Sequence, residues 1–316
     1  MTDPAELCSE AAECFGSDPE RSFALFREAA EAGYPNAFFG MAEVLMSGSL
    51  KDPDPEWAEE LYRVAAEAGH PPSMYRLGML FSGAMGHPED PAECRRWFEA
   101  AAEAGMAEAY PELAEIYLCG YGGAADERRS FEMLRKGQET GDAMSAFKLG
   151  CMYSDGIGID RDEKEAVRMF RIAAYKGIPE AQFKMGVVAQ EDPSESDLPA
   201  REWYRRAAEA GLPAAMVNLA TMLYEGKGAE RDLGKAFALY SEAAELGDGD
   251  AMFMAGRMMF EGIGTERDPA KGMELFVRAA AAGNRMAEEF VSEIRRKQNT
   301  QIIRIDGADY DIRRDA

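Results

Sequence analysis

The amino-acid sequence predicts an all-α protein built as an array of stacked helix-turn-helix repeats. Three observations carry this. A block of small residues closing on glycine recurs: AAEAG ending at Gly33, Gly69, Gly105 and Gly211, AAYKG at Gly177, AAELG at Gly247, AAAAG at Gly283, and the weaker KGQETG at Gly141. Successive glycines lie 36 residues apart, except for one step of 34 from Gly177 to Gly211. Each glycine is preceded by one segment of helical apolar periodicity and followed by another, and a fixed period of roughly 20 to 50 residues is the mark of a repeat architecture.

The segment before the glycine, here called helix B, is exemplified by DPEWAEELYRVAAEAG. It opens on a capping Asp and an early Pro and ends where glycine can adopt the left-handed cap. Seven residues before the glycine stands Phe26, Tyr62, Phe98, Leu134, Phe170, Tyr204, Tyr240 or Phe276. One large side chain per repeat therefore enters the core, each contributing about 1.5 to 3 kcal/mol by burial. Eleven before the glycine stands Ser22, Ala58, Cys94, Ser130, Ala166, Ala200, Ala236 or Gly272, and a small residue at one fixed place implies that two helices approach closely there.

Helix A follows the glycine, as in PEAQFKMGVVAQ and DAMSAFKLGCMYSDG. It has its own small contact point, nine residues past the glycine, at Ala42, Gly78, Ala114, Gly150, Gly186, Ala220 or Gly256. A glycine-rich turn joins A to B: GIGIDRD at 156–162, GKGAERD at 226–232 and GIGTERD at 262–268. Its paired glycines read as backbone positions of positive φ, not as a phosphate loop. Two repeats depart from the pattern. The sixth replaces the glycine turn by QEDPSESDLP at 190–199, where a change of pitch is expected. The fourth carries Pro111 inside helix A and GYGG at 120–123, which should bend that helix or shift its start.

The repeat array spans residues 1–297, closing on a helix at 285–297, and residues 298–316 form a non-repeat tail. In that tail Asp306-Gly307 is a two-residue hairpin signal that would oppose Ile303 to Tyr310 and Arg304 to Asp309. A lone hairpin is marginal in water. The tail therefore docks on the last repeat as a cap, stays mobile, lies in a groove, or adds to a partner molecule.

Charge narrows the function classes. The net charge of -23 and pI near 4.6 argue against nucleic acid and against anionic membranes, since both partners need a basic face. Residues 1–60 hold 14 acidic side chains against Arg21, Arg27 and Lys51; a partner with a basic surface fits that front, although a charge surplus also serves solubility. The opening MTDPAELCSEAAEC lacks the basic and apolar segments of a signal peptide, and the expected location is cytoplasmic. Five cysteines, Cys8, Cys14, Cys94, Cys119 and Cys151, stand at irregular places, and the only histidines are His70 and His87. That pattern supports neither a disulfide framework nor a zinc site, and no metal or cofactor is expected.

The linked landmarks resemble the Sel1-like repeat family over roughly residues 5 to 297. The segments EAQFKMGVVAQ and REWYRRAAEAG are similar to its pattern of Ala-x-x-Tyr-x-Leu-Gly followed by Ala-x-x-Trp-Tyr-x-x-Ala-Ala-x-x-Gly. The resemblance implies a right-handed α-solenoid, similar to tetratricopeptide arrays, with a concave face lined by helix A and a role as adaptor or scaffold in protein complexes.

Placed on that pattern, one concave position reads Phe39, Tyr75, Pro111, Phe147, Phe183, Val217 and Phe253. Such an aromatic line could grip an extended peptide or serve packing between helices. A second position reads Glu43, Met79, Glu115, Cys151, Val187, Thr221 and Arg257, varying while its neighbours stay fixed, as a binding surface or an unconstrained one would. The partner-binding candidates are thus Phe39, Glu43, Tyr75, Met79, Glu115, Phe147, Cys151, Phe183, Val187, Thr221, Phe253 and Arg257. Neither histidine has a nucleophile or metal-ligand partner at recognisable spacing, and acidic pairs such as Asp160 and Asp162 fall where a helix cap explains them. The expected function is a non-enzymatic scaffold that binds a partner peptide or helix in the helix A groove. The alternatives are a hydrolase or small-molecule binder using groove carboxylates, and a structural component that self-associates through its tail.

Overall fold

The computed structural model describes residues 3–50, 54–299, 303–305 and 308–310. The described residues form seventeen α-helices followed by two short strands, and the chain divides into two compact units, Met1–Met169 and Phe170–Ala316. Odd-numbered helices are A and even-numbered ones B, giving eight repeats and a closing helix. The first unit holds α1 (Pro4–Cys14), α2 (Pro19–Glu31), α3 (Pro35–Met46), α4 (Pro55–Glu67), α5 (Pro71–Phe81), α6 (Pro91–Glu103), α7 (Ala109–Cys119), α8 (Glu127–Thr140) and α9 (Ala143–Asp155). The division falls inside α10 (Glu163–Tyr175). Beyond it lie α11 (Pro179–Glu191), α12 (Ala200–Glu209), α13 (Pro213–Glu225), α14 (Leu233–Glu245), α15 (Gly249–Glu261), α16 (Pro269–Ala281) and α17 (Arg285–Asn299). None of these helices is long and apolar enough to cross a membrane.

Every B helix except α12, whose N-cap is Pro199, starts where an Asp can satisfy free backbone N–H groups. Asp18, Asp54, Asp126, Asp232 and Asp268 each accept from the N–H three residues on, at 2.9 to 3.0 Å. The same Asp donates its own N–H back to helix A: Asp126 to Tyr117 O at 2.7 Å, Asp162 to Tyr153 O at 2.9 Å and Asp268 to Met259 O at 2.8 Å. One residue thus caps helix B and fixes its start against helix A. The turn glycines do take positive φ, and the second of each pair also permits close stacking. An added Cβ on Gly158 would lie 2.5 Å from Glu127 O, and one on Gly264 would lie 2.3 Å from Leu233 O, in both cases the first residue of the preceding B helix.

In the first unit the B-helix landmark side chains fill the core: Tyr62 is 0%, Phe98 2% and Leu134 2% exposed. The small slot eleven residues before the glycine is closed by Ser22, Ala58, Cys94 and Ser130, all buried, and Ser22 Oγ donates to Ala11 O at 2.8 Å. Pro111 shifts the start of its helix: α7 begins four residues past Gly105, whereas α3, α5 and α9 begin two past theirs. Pro111 thereby sits in the first turn, where its missing N–H breaks no helical bond.

In the second unit Trp203, Tyr204, Tyr240 and Phe276 are buried. Gly256 and Gly272 face each other so closely that a Cβ on either would meet the other's carbonyl, at 3.0 and 2.8 Å. The closing helix α17 brings Phe290 to 4.6 Å, centroid to centroid, from Phe276 and 6.1 Å from Phe260; it runs two residues past the predicted end. The irregular 190–199 segment forms a single turn at Pro193–Glu195 and is tied down on both sides. Tyr175 donates to Asp197, Arg171 Nη2 donates to Glu195 O at 2.5 Å, and Trp203 Nε1 donates to Ser196 Oγ at 3.0 Å. In the tail, β1 (Ile303–Ile305) and β2 (Ala308–Tyr310) pair antiparallel with Ile303 opposite Tyr310 and Arg304 opposite Asp309, the expected register. The Asp306-Gly307 turn itself lies outside the described residues.

Candidate partner-binding surface

The aromatic position six residues past the glycine is half-buried, because each ring leans on the B-helix ring of its own repeat. Centroid distances are 5.9 Å for Phe39 and Tyr62, 5.4 Å for Tyr75 and Phe98, 5.7 Å for Phe183 and Tyr204, and 5.4 Å for Phe253 and Phe276. Phe39 also packs 5.0 Å from His70, whose Nδ1 lies 2.9 Å from Ser73 Oγ. Phe147 and Val217 are half-buried and Pro111 is buried. Part of each ring is therefore taken up in packing between the helices of its repeat.

The variable position four residues further on is used differently in each repeat. In the first unit Glu43 accepts from Tyr62 Oη at 2.6 Å and from Arg76 Nη2 at 2.7 Å. Glu115, exposed, accepts from Lys148 Nζ at 2.5 Å. Met79 and Cys151 are half-buried, and Cys151, Glu115 and Lys148 line one cavity of about 140 Å³. In the second unit Thr221 Oγ1 donates to Val217 O and lies 2.8 Å from Tyr240 Oη. Val187 is half-buried, and exposed Arg257 points its Nε 3.4 Å from Glu261.

Arg76 and Lys148 are charged neighbours of these candidates that stand outside the sequence-derived set. Both occupy the slot seven past the glycine, 33 residues after the carboxylate they pair with. That slot also holds Glu112, half-buried on α7. Burial pushes its carboxyl above the usual carboxylate value, Lys148 opposes this, and Glu115 and Asp142 add to it. The Tyr75 hydroxyl is raised likewise, by burial first and then by Glu112 and Glu108. Tyr75, Glu112 and Glu115 on α5 and α7, the cap residues Glu108 and Asp142 of α7 and α9, and the cations Arg76 and Lys148 thus lie within electrostatic reach of one another.

The other titratable candidates are accounted for locally. His87 Nε2 lies 3.0 Å from Glu59 Oε2 and its ring packs 5.2 Å from Phe81. Cys94 is buried in the small slot, and burial, Glu112 and Asp90 push its thiol up to about 11. Asp162 accepts from Lys164 N and Glu165 N as a helix cap. Among the described residues no group of three or more His, Cys, Asp or Glu is placed to hold a metal ion.

A family model described as Sel1 repeat matches residues 12–34, 36–70, 71–106, 107–137, 143–178, 179–212, 213–248 and 249–284. Among solved structures, a protective antigen of uropathogenic Escherichia coli displaying an SLR fold is similar with 25% identity and a TM-score of 0.77, over 92% of this chain and 62% of that one. The chain therefore spans less than two thirds of that antigen. A Sel1 repeat protein from Oxalobacter formigenes is similar with 26% identity and a TM-score of 0.74, over 93% of this chain and 88% of that one. No curated protein matches.

Proposed function

Because the chain belongs to the Sel1 repeat family, we propose that it is a protein-interaction scaffold whose A helices receive a peptide or helix of a partner. The observation that carries this reading is the cluster at α5, α7 and α9, where half-buried Tyr75 and Glu112 lie within electrostatic reach of Glu108, Glu115 and Asp142. A half-buried carboxylate among like charges is disfavoured in its ionised form. Lys148 offsets part of that repulsion; a basic side chain delivered by a partner would offset more, and the half-exposed rings beside it offer apolar contact of the kind that anchors interfaces. The interaction body is the helical array through α17, which ends at Asn299. The irregular placement of five cysteines, Cys8, Cys14, Cys94, Cys119 and Cys151, supports a reducing, cytoplasmic setting.

The test is cross-linking affinity purification from cells expressing the full chain, comparing it with the double variant Glu112→Lys, Glu115→Lys. The expected result is a partner whose cross-links fall on α5, α7 and α9 and whose recovery drops several-fold with the variant. Recovery unchanged in a variant that melts as the wild type does would refute this assignment of the surface.

A further inference from the structure

The stacking of turn upon turn is broken at one place in the second unit. In the fourth, fifth and eighth repeats the second turn glycine lies against the first residue of the preceding B helix: Gly122 against Pro91, Gly158 against Glu127 and Gly264 against Leu233, with the carbonyl 2.1 to 2.5 Å from where a Cβ would stand. Gly228 in the seventh repeat should meet Ala200, the first residue of α12, in the same way. Within 4 Å of its Cβ position there is instead only the Met222 methyl, at 2.5 Å. The shortened 190–199 segment, held by Tyr175, Arg171 and Trp203, takes the place of a glycine turn here. A cleft of about 450 Å³ lies between α11, α12 and α13.

The cleft has three chemical parts. Its apolar lining comes from Ala189, Pro193, Pro199, Ala200 and Met222. One wall carries two side-chain amides whose orientation is fixed by Tyr204: the Tyr204 hydroxyl donates to Gln190 Oε1 at 3.2 Å and is hydrogen-bonded by Asn218. That leaves an NH₂ donor on Gln190 and a carbonyl acceptor on Asn218, the two groups that one peptide unit of an extended chain requires. The rim is mixed in charge, with Glu225 lining it beside the cations Arg201 and Lys227. Arg201 is exposed and has no carboxylate partner among the described residues, and Lys227 stands beside it with Nζ 3.0 Å from Glu225 Oε2.

We propose that this cleft binds an extended acidic peptide segment, with an aliphatic side chain on the apolar lining, its backbone on Gln190 and Asn218, and a carboxylate at Arg201. The net charge of -23 on the whole chain does not prevent this, because exposed charges are screened beyond about 8 Å at physiological ionic strength. The inference rests on the scaffold reading in taking a peptide as occupant, but it concerns a different surface and a partner segment of opposite charge to the one proposed for α5, α7 and α9.

The experiment is selection of phage-displayed random dodecapeptides on the full-length protein, followed by fluorescence-polarisation titration of the selected peptides. Peptides with an aliphatic residue next to Asp or Glu are expected. Arg201→Glu, a change on an exposed side chain, should weaken them about tenfold, since it removes an attraction and adds a repulsion. Met222→Ala, checked by thermal melting, should weaken them by loss of apolar contact, whereas Glu112→Lys should leave them unchanged. If selected peptides bind equally well to Arg201→Glu and Met222→Ala, or if the selection yields only basic peptides, the cleft is not their site and this inference falls while the scaffold reading stands. If no peptide is selected on any surface, both fall.

Discussion

At Gly186 an added methyl would stand 2.5 Å from Tyr204 Cε1, and at Gly78 it would stand 2.9 Å from the Phe98 ring. Two effects compete. Alanine in a helix interior is favoured over glycine by about 1 kcal/mol, while overpacking a core costs typically about 1 to 3 kcal/mol. The tighter site lets overpacking win, so Gly186→Ala is expected to destabilise by about 1 kcal/mol in urea unfolding, with Gly78→Ala nearer neutral; stabilisation by both would mean that the rings yield freely. The small slot was legible because it recurs at fixed register. Glu112 was not, because its significance depends on Asp142, Glu115 and Lys148 lying beside it, and none is a sequence neighbour on its helix turn except Glu115. The available signal was the slot itself: Arg76, Glu112, Lys148 and Lys184 are charged at one register position. Since the folded protein raises the Glu112 value, the protein gains stability as pH falls through that raised value and loses the gain as pH rises. The ionised carboxylate is the disfavoured form, and below the unfolded value both states are protonated. Glu112→Gln should therefore raise the melting temperature at pH 7 and lose that advantage in acid; a melting temperature lowered at pH 7 would contradict this.

Among the elements, the helix boundaries were the most legible feature, because an Asp precedes every B helix except α12, and glycine follows the end of each. The sheet-like pairing of the tail followed from Asp306-Gly307 flanked by β-branched residues. The course of residues 190–199 could not be read in the same way. It is held by Tyr175, which occupies a slot filled by Glu31, Glu67, Glu103, Glu139, Glu209 and Glu245 in other repeats. Tyr175 packs 5.3 Å from Trp203 and donates to Asp197. The substitution of an aromatic for glutamate and the altered turn are thus one structural change made at two places, visible only when the fold brings them together. Tyr175→Ala should release the segment, speeding hydrogen exchange at Ser194 and Ser196 with a global cost of only about 1 kcal/mol, since Tyr175 is itself largely exposed. Unchanged exchange at those amides would show that Trp203 and Arg171 suffice.

On the scale of the molecule, the helices within each unit pack chiefly on the helices next to them in sequence, the condition under which stability is a sum of repeat and neighbour terms. Such an array needs its last apolar face covered. In the second unit that cover is α17, where Phe290 meets Phe276 and Phe260 while Ala287 and Val291 are buried beside it. Phe290→Ala removes a half-buried ring and should cost about 2 kcal/mol. Because the lost contacts are local, the loss should be unevenly distributed. Amides of α15, α16 and α17 should exchange faster, those of α11 should change little, and those of α3 to α6 not at all. Hydrogen exchange read by mass spectrometry separates this from the alternative. An equal loss of protection in every helix would mean that the chain unfolds as one cooperative block, with neighbour coupling strong enough to carry a terminal defect through all eight repeats.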